Sequence, residues 1–332
     1  MNRRLPVYLV LDCSESMVGD PFQAMNNGLN LLVSELRSNP LALETAAISI
    51  ITFASKARQV LPLTDLLAAQ IPSLKMGSGT ALGQALTLLR DCMSREVIKS
   101  SATQKGDYKP VVFIITDGEP TDEWQAIARE YFTTIQGKKA NLIGVACGRD
   151  SSPDVLRKLT ETVITIDHET PGSFKKFFQW VSATISTTSQ KIQGDGMPVE
   201  APPLPAEIQG RTESTGEARH VFLHVKCVKN KRFYLARFSR QGEGRGVAFA
   251  GSGVCPLQNF DMEEGAGKKI RSDQLGNFNP CPHCGNQILG MCQCGNMHCC
   301  PTITRPVQLT CPWCGRSDTY APASFDLGSG AG

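Results

Sequence analysis

The chain alternates between short, almost continuous apolar runs and longer segments in which apolar residues recur at helical spacing. The first run, Pro6–Leu11, ends abruptly at Asp12, and a later one, Val111–Ile115, is followed closely by Asp117. Runs of this length are typical of strands covered on both faces, as at the centre of a parallel sheet. We therefore expect two buried strands here. Further strands are predicted at Ala46–Phe53, Ala57–Leu63, Ala140–Ala146 and Val163–Ile166.

Amphipathic segments lie between these strands. In the first of them, Met25, Leu29, Leu32 and Leu36 fall on one helical face. The predicted helices are Pro21–Arg37, Thr80–Val97, Trp124–Ile135 and Gly172–Ser186. Strands that alternate with helices indicate an α/β fold with a doubly wound, mostly parallel sheet of Rossmann-like kind, which we assign to residues 1–190.

The apolar periodicity stops at residue 191 and returns at residue 218. The intervening residues 191–217 are rich in proline and glycine, which predicts a linker. After it, Arg219–Cys227 and Arg232–Phe238 alternate like the strands of a hairpin. We expect residues 218–320 to form a small β-rich domain and residues 321–332 to be a flexible tail.

Oxygen-bearing side chains follow the first apolar run and the run before Asp117. They lie in three segments, which are Asp12–Ser16, Gly77–Thr80 and Thr116–Asp122. In an open α/β sheet, the loops after the strands meet at the edge formed by their carboxyl ends. Mg²⁺ prefers hard oxygen ligands in octahedral geometry and usually keeps some waters. Two carboxylates and three hydroxyls leave room for a partner's carboxylate, so the sequence predicts a magnesium site.

The order of these residues is specific. Asp12-x-Ser14-x-Ser16, then Thr80, then Asp117-Gly118, resembles the metal-ion-dependent adhesion site of von Willebrand factor type A domains. The resemblance implies that Mg²⁺ is coordinated, in part through water, by Asp12, Ser14, Ser16, Thr80 and Asp117. Glu15 departs from the pattern, since many such domains have glycine there. An extra carboxylate beside the metal can alter its affinity.

Cysteines dominate the second domain. Eight of the thirteen lie between Cys281 and Cys314. Two Cys-Pro-x-Cys-Gly units are typical of zinc-ribbon knuckles, in which a tight turn directs two thiolates at one metal. A chain without a signal peptide is expected in the cytoplasm, which disfavours a disulfide framework. The candidate ligands for one or two Zn²⁺ ions are Cys281, Cys284, Cys292, Cys294, His298, Cys299, Cys300, Cys311 and Cys314.

The spacing leaves the pairing of these ligands open. The simplest partition gives one zinc the two knuckles, Cys281, Cys284, Cys311 and Cys314. The second zinc would then take Cys292, Cys294, Cys299 and either Cys300 or His298. Interleaved pairings fit the spacing equally well. The remaining cysteines are interpreted as small buried hydrophobic residues, and they are Cys13, Cys92, Cys147, Cys227 and Cys255.

The two halves together resemble a known family. Leu61-Pro-Leu-Thr and Gly106-Asp-Tyr-Lys-Pro precede the Asp117 strand, and a strand pair with a cysteine-rich ribbon follows the linker. This arrangement is similar to the TerY-like proteins of tellurite-resistance and stress-response clusters. The resemblance implies a cytoplasmic bacterial adaptor whose C-terminal part binds metal. It also implies a protein kinase and a PP2C-like phosphatase as partners.

Composition argues against several other functions. No run of eighteen apolar residues exists, so we expect no transmembrane helix and no membrane partner. Residues 218–332 carry a formal charge of +6, against −3 for residues 1–217. Two zinc ions, each bound by four thiolates, would reduce +6 to about +2. Binding of nucleic acid by the zinc ribbon is therefore the alternative function, not the first choice.

A magnesium-dependent phosphatase is a weaker alternative. Gly77-Ser-Gly-Thr80 lacks the lysine of a phosphate-binding loop. Hydrolysis of a phosphoester usually needs a second metal or a base that activates water, and only Glu119 and Asp122 are close in sequence. Both are better explained as acidic residues at a helix N-terminus. The sequence favours a non-enzymatic adaptor in which Mg²⁺ captures an acidic side chain of a protein partner.

Overall fold

The apolar runs of the first half form strands in the computed structural model of the protein. The chain divides into two compact units, residues 1–215 and 216–332. The structure describes residues 3–101, 103–117, 119–135, 139–147, 153–166, 172–192, 220–241, 248–257, 260–261, 268–303 and 305–331. The predicted linker, 191–217, lies almost entirely outside these residues.

The first unit contains seven described strands and six α-helices. The strands are β1 (Leu5–Asp12), β2 (Ala46–Phe53), β3 (Ala57–Asp65), β4 (Met76–Gly77), β5 (Val111–Thr116), β6 (Asn141–Cys147) and β7 (Val163–Ile166). The helices are α1 (Asp20–Arg37), α2 (Pro40–Thr45), α3 (Leu82–Glu96), α4 (Gln125–Glu130), α5 (Pro153–Arg157) and α6 (Ser173–Ile192). A π-helical turn, Tyr131–Ile135, continues α4. The short helices α2 and α5 were not predicted, because neither is long enough to show a helical period.

Six strands form one sheet in the order β3-β2-β1-β5-β6-β7. Strand β3 runs antiparallel to β2, and the other neighbouring strands are parallel. The doubly wound, mostly parallel sheet is thus confirmed. Strands β1 and β5 are neighbours at its centre, where Leu11 is paired with Ile115. Their carboxyl ends therefore lie side by side.

Helices cover both faces of this sheet. The side chains of β1 point alternately to one face of the sheet and to the other, as expected for a strand buried on both sides. Val7, Leu9 and Leu11 belong to the core under α1, α2 and α6, whereas Tyr8 and Val10 belong to the core under α3, α4 and α5. The aromatic residues of α6 are buried in the first of these cores, in agreement with the sequence interpretation.

The second unit is built from strands. They are β8 (His220–Lys226), β9 (Phe233–Gln241), β10 (Ala248–Pro256), β11 (Phe260–Asp261), β12 (Lys268–Arg271), β13 (Leu275–Gly276), β14 (Ile288–Met291), β15 (Met297–Cys300), β16 (Val307–Thr310), β17 (Ser317–Tyr320) and β18 (Asp326–Ala331). The predicted hairpin is present, since β8 and β9 are antiparallel and Lys226 is paired with Phe233. This hairpin is part of a larger sheet with the strand order β12-β18-β8-β9-β10-β13, and β15 also pairs with β8.

The prediction of a flexible tail over residues 321–332 is wrong for residues 326–331. Asp326–Ala331 forms β18, which pairs antiparallel with both β12 and β8. The local sequence is rich in glycine and small residues, so it gives no strand signal of its own. The strand forms because both neighbours offer unpaired backbone groups that it can satisfy. Among the described residues, no helix combines the length and apolar character needed to cross a membrane.

Candidate metal centres

The first candidate site lies at the carboxyl ends of the two central strands. Asp12 is the last residue of β1, and Asp117 directly follows β5. Ser14 and Ser16 lie on the turn that leaves β1. The parallel pairing of β1 and β5 is the reason that two carboxylates so distant in sequence come together.

A continuous series of hydrogen bonds joins four of the five predicted ligands. The Ser14 N–H donates to Asp12 Oδ1 at 2.9 Å, and the Ser16 hydroxyl donates to Asp117 Oδ1 at 2.7 Å. The hydroxyls of Ser14 and Ser16 are 2.9 Å apart. Since the single proton of Ser16 is used on Asp117, Ser14 is the donor between them. The Thr116 hydroxyl donates to Asp12 Oδ2 at 2.6 Å and fixes that carboxylate from the other strand.

Thr80, the fifth predicted ligand, is held beside this series by the backbone. The Thr80 N–H donates to Thr121 Oγ1 at 2.9 Å, and the Thr121 N–H donates back to the Thr80 carbonyl at 2.9 Å. On the other side, the Gly77 N–H donates to the Cys13 carbonyl at 2.9 Å. The loop that carries Thr80 is thus fastened to the loops that carry Asp117 and Ser14.

Glu15 is the departure from the family pattern, and it points inward. Only 3% of Glu15 is exposed, and its Oε2 accepts a hydrogen bond from the Gly79 N–H at 2.7 Å. Burial raises the pKa of this carboxyl to about 7. The sequence predicts an extra carboxylate beside the metal, but its burial could not be predicted, because Glu15 follows the strand in a polar turn.

The carboxyl groups of Asp12 and Glu15 are buried, and that of Asp117 is half-buried. Asp12 is fully buried, and burial raises its pKa to about 6. Burial also raises the pKa of Asp117 well above its usual range, and the charge of Asp12 raises it further. Within the described part of the chain, no lysine or arginine is paired with Asp12, Glu15 or Asp117. Buried anions without a counter-charge are costly, so these residues fit a bound divalent cation.

Asp122 has a structural role at this edge. Its two carboxylate oxygens each accept a hydrogen bond of 3.0 Å, one from the Gly83 N–H and one from the Gln84 N–H. Asp122 therefore caps the first turn of α3, which begins just after Thr80. The sequence interpretation as an acidic helix-terminal residue is correct, although the helix is α3 and not the one that follows Asp122 in the chain.

Two further candidate sites lie in the second unit, each formed by four cysteines. The first consists of Cys227, Cys281, Cys284 and Cys299, and the second of Cys292, Cys294, Cys311 and Cys314. Within each cluster, all Sγ atoms lie within 4.8 Å of one another. Both Cys-Pro-x-Cys-Gly units form the expected turn. The N–H of Gly285 donates to the Cys281 carbonyl at 2.9 Å, and that of Gly315 to the Cys311 carbonyl at 3.0 Å. Both glycines have positive φ angles, 78° and 74°.

The sulfur spacing matches a tetrahedral zinc site. With a Zn–S bond of about 2.3 Å, the sulfurs at two corners of a tetrahedron are about 3.8 Å apart. The Cys284 and Cys299 sulfurs are 3.5 Å apart in the first cluster. In the second, the Cys292–Cys314 distance is 3.7 Å and the Cys294–Cys311 distance is 3.8 Å. Four thiolates at this spacing suit Zn²⁺.

This arrangement differs from the simplest partition of the sequence analysis. The two knuckles belong to different clusters. The knuckle of Cys281 and Cys284 lies with Cys227 and Cys299, and the other knuckle lies with Cys292 and Cys294. Cys227, interpreted as a buried hydrophobic residue, belongs to the first cluster. The parallel pairing of β15 with β8 matches His298 to Lys226, which brings the next residues, Cys299 and Cys227, together. No local spacing could have shown this, since Cys227 precedes the knuckle by 54 residues.

Cys300 and His298 lie outside both clusters. Consecutive residues of a strand point to opposite faces, so Cys299 and Cys300 on β15 cannot reach the same metal. Cys300 Sγ instead lies 3.5 Å from Nδ1 of His298, its neighbour on the same face. The His298 ring packs edge-on against Tyr320 at 4.9 Å between ring centroids. Cys300 and His298 are both fully buried.

The second cluster is the more open of the two. Cys294 and Cys314 are exposed, whereas three cysteines of the first cluster are buried and Cys284 is partly buried. Burial raises the pKa of the Cys294 thiol, but hydrogen bonds from the backbone and side chain of Asn296 outweigh it and lower the pKa to about 7. A thiol of this kind readily gives the thiolate that binds metal.

Comparison with protein families agrees with this division. The model of the von Willebrand factor type A domain matches residues 7–178, slightly more than half of the chain. The chain belongs to the von Willebrand factor type A family. A second model, the TerY-C metal binding domain, matches residues 217–332. The chain is thus a TerY-like protein, in which a type A domain precedes a cysteine-rich metal-binding domain. Domains of both kinds are typically non-enzymatic, and their combination supports a metal-binding adaptor.

Solved structures of low sequence identity are similar to parts of the chain. A von Willebrand factor type A protein from Catenulispora acidiphila is 16% identical, with a TM-score of 0.43, over 81% of this chain and 61% of that chain. Proximal thread matrix protein 1 from the mussel byssus is 15% identical, with a TM-score of 0.40, over 56% and 48%. BatB from Bacteroides thetaiotaomicron is 17% identical, with a TM-score of 0.37, over 56% and 99%. The chain thus spans about half of the mussel protein. No curated protein matches the chain.

Proposed function

We propose that this TerY-like protein is a non-enzymatic adaptor whose type A domain binds a protein partner through Mg²⁺. The ion would be held by Asp12, Ser14, Ser16, Thr80 and Asp117. The observation that carries the proposal is the hydrogen-bonded series from Asp12 through Ser14 and Ser16 to Asp117. Among the described residues, no basic side chain is paired with these carboxylates at this edge.

The ligand chemistry explains why a partner would supply a carboxylate. Asp12 and Asp117 offer two negative charges, and the hydroxyls of Ser14, Ser16 and Thr80 are neutral. Mg²⁺ keeps waters in its octahedral shell, and a carboxylate from outside can replace one of them. The partner is therefore expected to present an aspartate or glutamate at an exposed position.

The second domain would provide a separate docking surface. Zinc ions in the two four-cysteine clusters would stabilise it, since metal binding and folding are coupled in small domains of this kind. By the family resemblance, we place the adaptor in the bacterial cytoplasm, in a tellurite-resistance or stress-response system. A protein kinase and a PP2C-like phosphatase are the proposed partners.

The alternative functions receive less support from the site. For a phosphatase, Asp122 is a poor general base because both of its oxygens accept backbone hydrogen bonds. Glu119 is exposed on the same loop, and no contact with a described residue directs it toward the proposed ligands. For nucleic acid, the Lys226 ammonium at the end of β8 is already packed on aromatic rings, 4.9 Å from the ring centre of Phe233 and 5.1 Å from that of Trp313.

The test measures metal binding and partner binding with three proteins: wild type, Asp12→Asn and Glu119→Gln. Glu119→Gln is the matched control because it removes a carboxylate of the same edge that is not a proposed ligand. Magnesium is omitted, not chelated, so that zinc stays bound. We expect wild type and Glu119→Gln to bind Mg²⁺ in calorimetry and to retain the proposed kinase or phosphatase partner only with Mg²⁺. Asp12→Asn should lose both properties.

Other outcomes would contradict the proposal. Equal retention of the same proteins with and without Mg²⁺, or by Asp12→Asn, would show that the metal is not the contact. Binding to DNA or heparin that falls steeply with salt and survives Asp12→Asn would favour the nucleic-acid function. Magnesium-dependent turnover of a phosphoester would favour the phosphatase.

A further inference from the structure

The Glu15 side chain contains a buried oxygen that has no hydrogen-bond partner. Its Oε2 accepts from the Gly79 N–H at 2.7 Å, whereas its Oε1 is enclosed and makes no hydrogen bond with the described residues. Buried carboxylate oxygens are normally paired, because burying a charge without a partner is costly. An unpaired oxygen of this kind therefore indicates a missing interaction.

The position of Glu15 shows where that interaction lies. In sequence it stands between the proposed ligands Ser14 and Ser16. In space its carboxylate reaches Gly79, the residue before the proposed ligand Thr80. Both ends of the side chain are therefore next to ligand positions, and the carboxylate lies between the two loops that surround the ion.

The charges nearby make a cation the fitting partner. The two chain neighbours of Glu15 are hydrogen-bonded to carboxylates, since the Ser14 N–H donates to Asp12 Oδ1 at 2.9 Å and the Ser16 hydroxyl donates to Asp117 Oδ1 at 2.7 Å. No basic side chain of the described residues is paired with Glu15. A buried carboxylate oxygen without a partner, on the same turn as two residues that contact further carboxylates, is suited to a divalent cation.

We propose that Glu15 is a third carboxylate of the metal site and holds the divalent cation directly or through one bound water. The inference rests on the proposed magnesium site and adds a ligand to it. With Glu15, the chain supplies three negative charges to a doubly charged ion. The type A domain then retains its ion before any partner arrives, and the partner's carboxylate binds to a site that is already loaded.

A purely structural role for Glu15 makes a different prediction. If Glu15 only holds Gly79, then any side chain of the same length that accepts the Gly79 N–H will serve. Glu15→Gln has this length and an accepting oxygen but no charge. Glu15→Asp keeps the charge but is one carbon shorter, so it loses the contact with Gly79. The two variants therefore separate the effect of the negative charge from the effect of the side-chain length.

The experiment titrates the full-length, zinc-loaded chain with Mg²⁺ and with Mn²⁺ by calorimetry. We expect Glu15→Gln to bind both ions about 10- to 100-fold more weakly than wild type, which is the usual effect of removing a supporting group at a metal site. Glu15→Asp should lose less, and Glu119→Gln should bind like wild type. Wild-type affinity in Glu15→Gln, or a larger loss in Glu15→Asp, would overturn the inference.

Two further measurements keep the result unambiguous. Asp12→Asn is titrated in parallel: if it alone loses binding, the magnesium site stands and only the role of Glu15 fails. If Asp12→Asn binds like wild type, the proposed site itself is wrong. A crystal structure of the wild-type chain with Mg²⁺ tests the ligand without any variant. We expect a carboxylate oxygen of Glu15 about 2.1 Å from the ion, or about 4 Å if a water intervenes. A larger distance would overturn the inference.

Discussion

The Ser16 hydroxyl donates a hydrogen bond of 2.7 Å to Oδ1 of Asp117, although 101 residues separate the two. The contact is possible because β1 and β5 are adjacent parallel strands and both residues leave the same edge of the sheet. It brings a ligand from each of two loops to the bond length of a strong, charge-assisted hydrogen bond. Ser16 and Asp117, two of the proposed ligands, are thus brought together by the fold itself.

We expect Mg²⁺ binding by the type A domain to weaken as the pH falls through about 6. Burial raises the pKa of Asp12 to about 6, so a proton competes with the metal below that value. An exposed aspartate would keep its metal to a pH of about 4. Calorimetric titrations with Mg²⁺ between about pH 5 and pH 8 would show the difference.

Without metal, the stability of the same domain should change in the opposite direction. Since the folded-state pKa of Asp12 lies above its ordinary value of 3.8, the folded state binds its proton more tightly than the unfolded state. Stability is therefore highest below about pH 4 for this group and is lost as the pH rises to about 6. Thermal unfolding without Mg²⁺ measures this loss, and Asp12→Asn should lessen it. A loss of the same size in Asp12→Asn would contradict the assignment to Asp12.

Cys227 and Cys300 provide a matched pair of variants in the second domain. Cys227→Ser should lose the zinc of the first cluster and destabilise the domain, because it leaves three thiolates around the ion. Cys300→Ala should keep the full zinc content, because Cys300 lies on the other face of β15. Elemental analysis of the purified variants gives the zinc content directly. Loss of zinc from Cys300→Ala with full zinc in Cys227→Ser would show that the assigned cluster is wrong.

The two zinc ions should leave at different rates. Cys294 and Cys314 expose the second cluster to solvent, whereas the first is largely enclosed. A chelator in excess should therefore remove one equivalent of zinc quickly and the other slowly, as followed by a coloured zinc–chelator complex. Cys314→Ser should abolish the fast phase and Cys227→Ser the slow one. Release of both equivalents in a single phase would contradict the structural difference.

Asp122→Ala should destabilise the type A domain by about 1 kcal/mol, the usual cost of removing a helix cap. The variant leaves the N–H groups of Gly83 and Gln84 without their acceptor at the start of α3. Glu119→Ala, on the exposed part of the same loop, should change stability by less than about 0.5 kcal/mol. Urea unfolding of both variants measures the difference. Equal stabilities would mean that Asp122 does not cap α3.

The parts of this protein that could be predicted from sequence are those with strong local signals. The apolar run Pro6–Leu11 is short and nearly free of polar residues. A run of this kind is typical of a strand that is buried on both faces. The helices with a clear period were also predicted, with ends shifted by a few residues in most and the last helix longer, since it continues to Ile192. In contrast, α2 is six residues long, and β18 consists largely of small residues.

The candidate sites show the same difference. Asp12, Ser14 and Ser16 occur within five residues, and a strand precedes them, so their proposed joint role could be inferred from the sequence. Cys227 and Cys299 come from different parts of the second domain and meet only through the pairing of β15 with β8. Glu15 could be recognised in the sequence as an unusual residue. Its burial could not be predicted, because it depends on the distant loop that places Gly79 beside its carboxylate.

Sequence by itself therefore determined which segments of this chain are strands and helices, which oxygens suit Mg²⁺ and which motifs suit Zn²⁺. These are properties of near neighbours, because strand burial, helical period and knuckle turns depend on residues only a few positions apart. The tertiary structure alone decided which cysteines share a cluster, that Asp122 caps α3 and that Glu15 is buried against the loop of Gly79. Each of these depends on the register between distant strands and loops, where a shift of one residue turns a side chain to the opposite face.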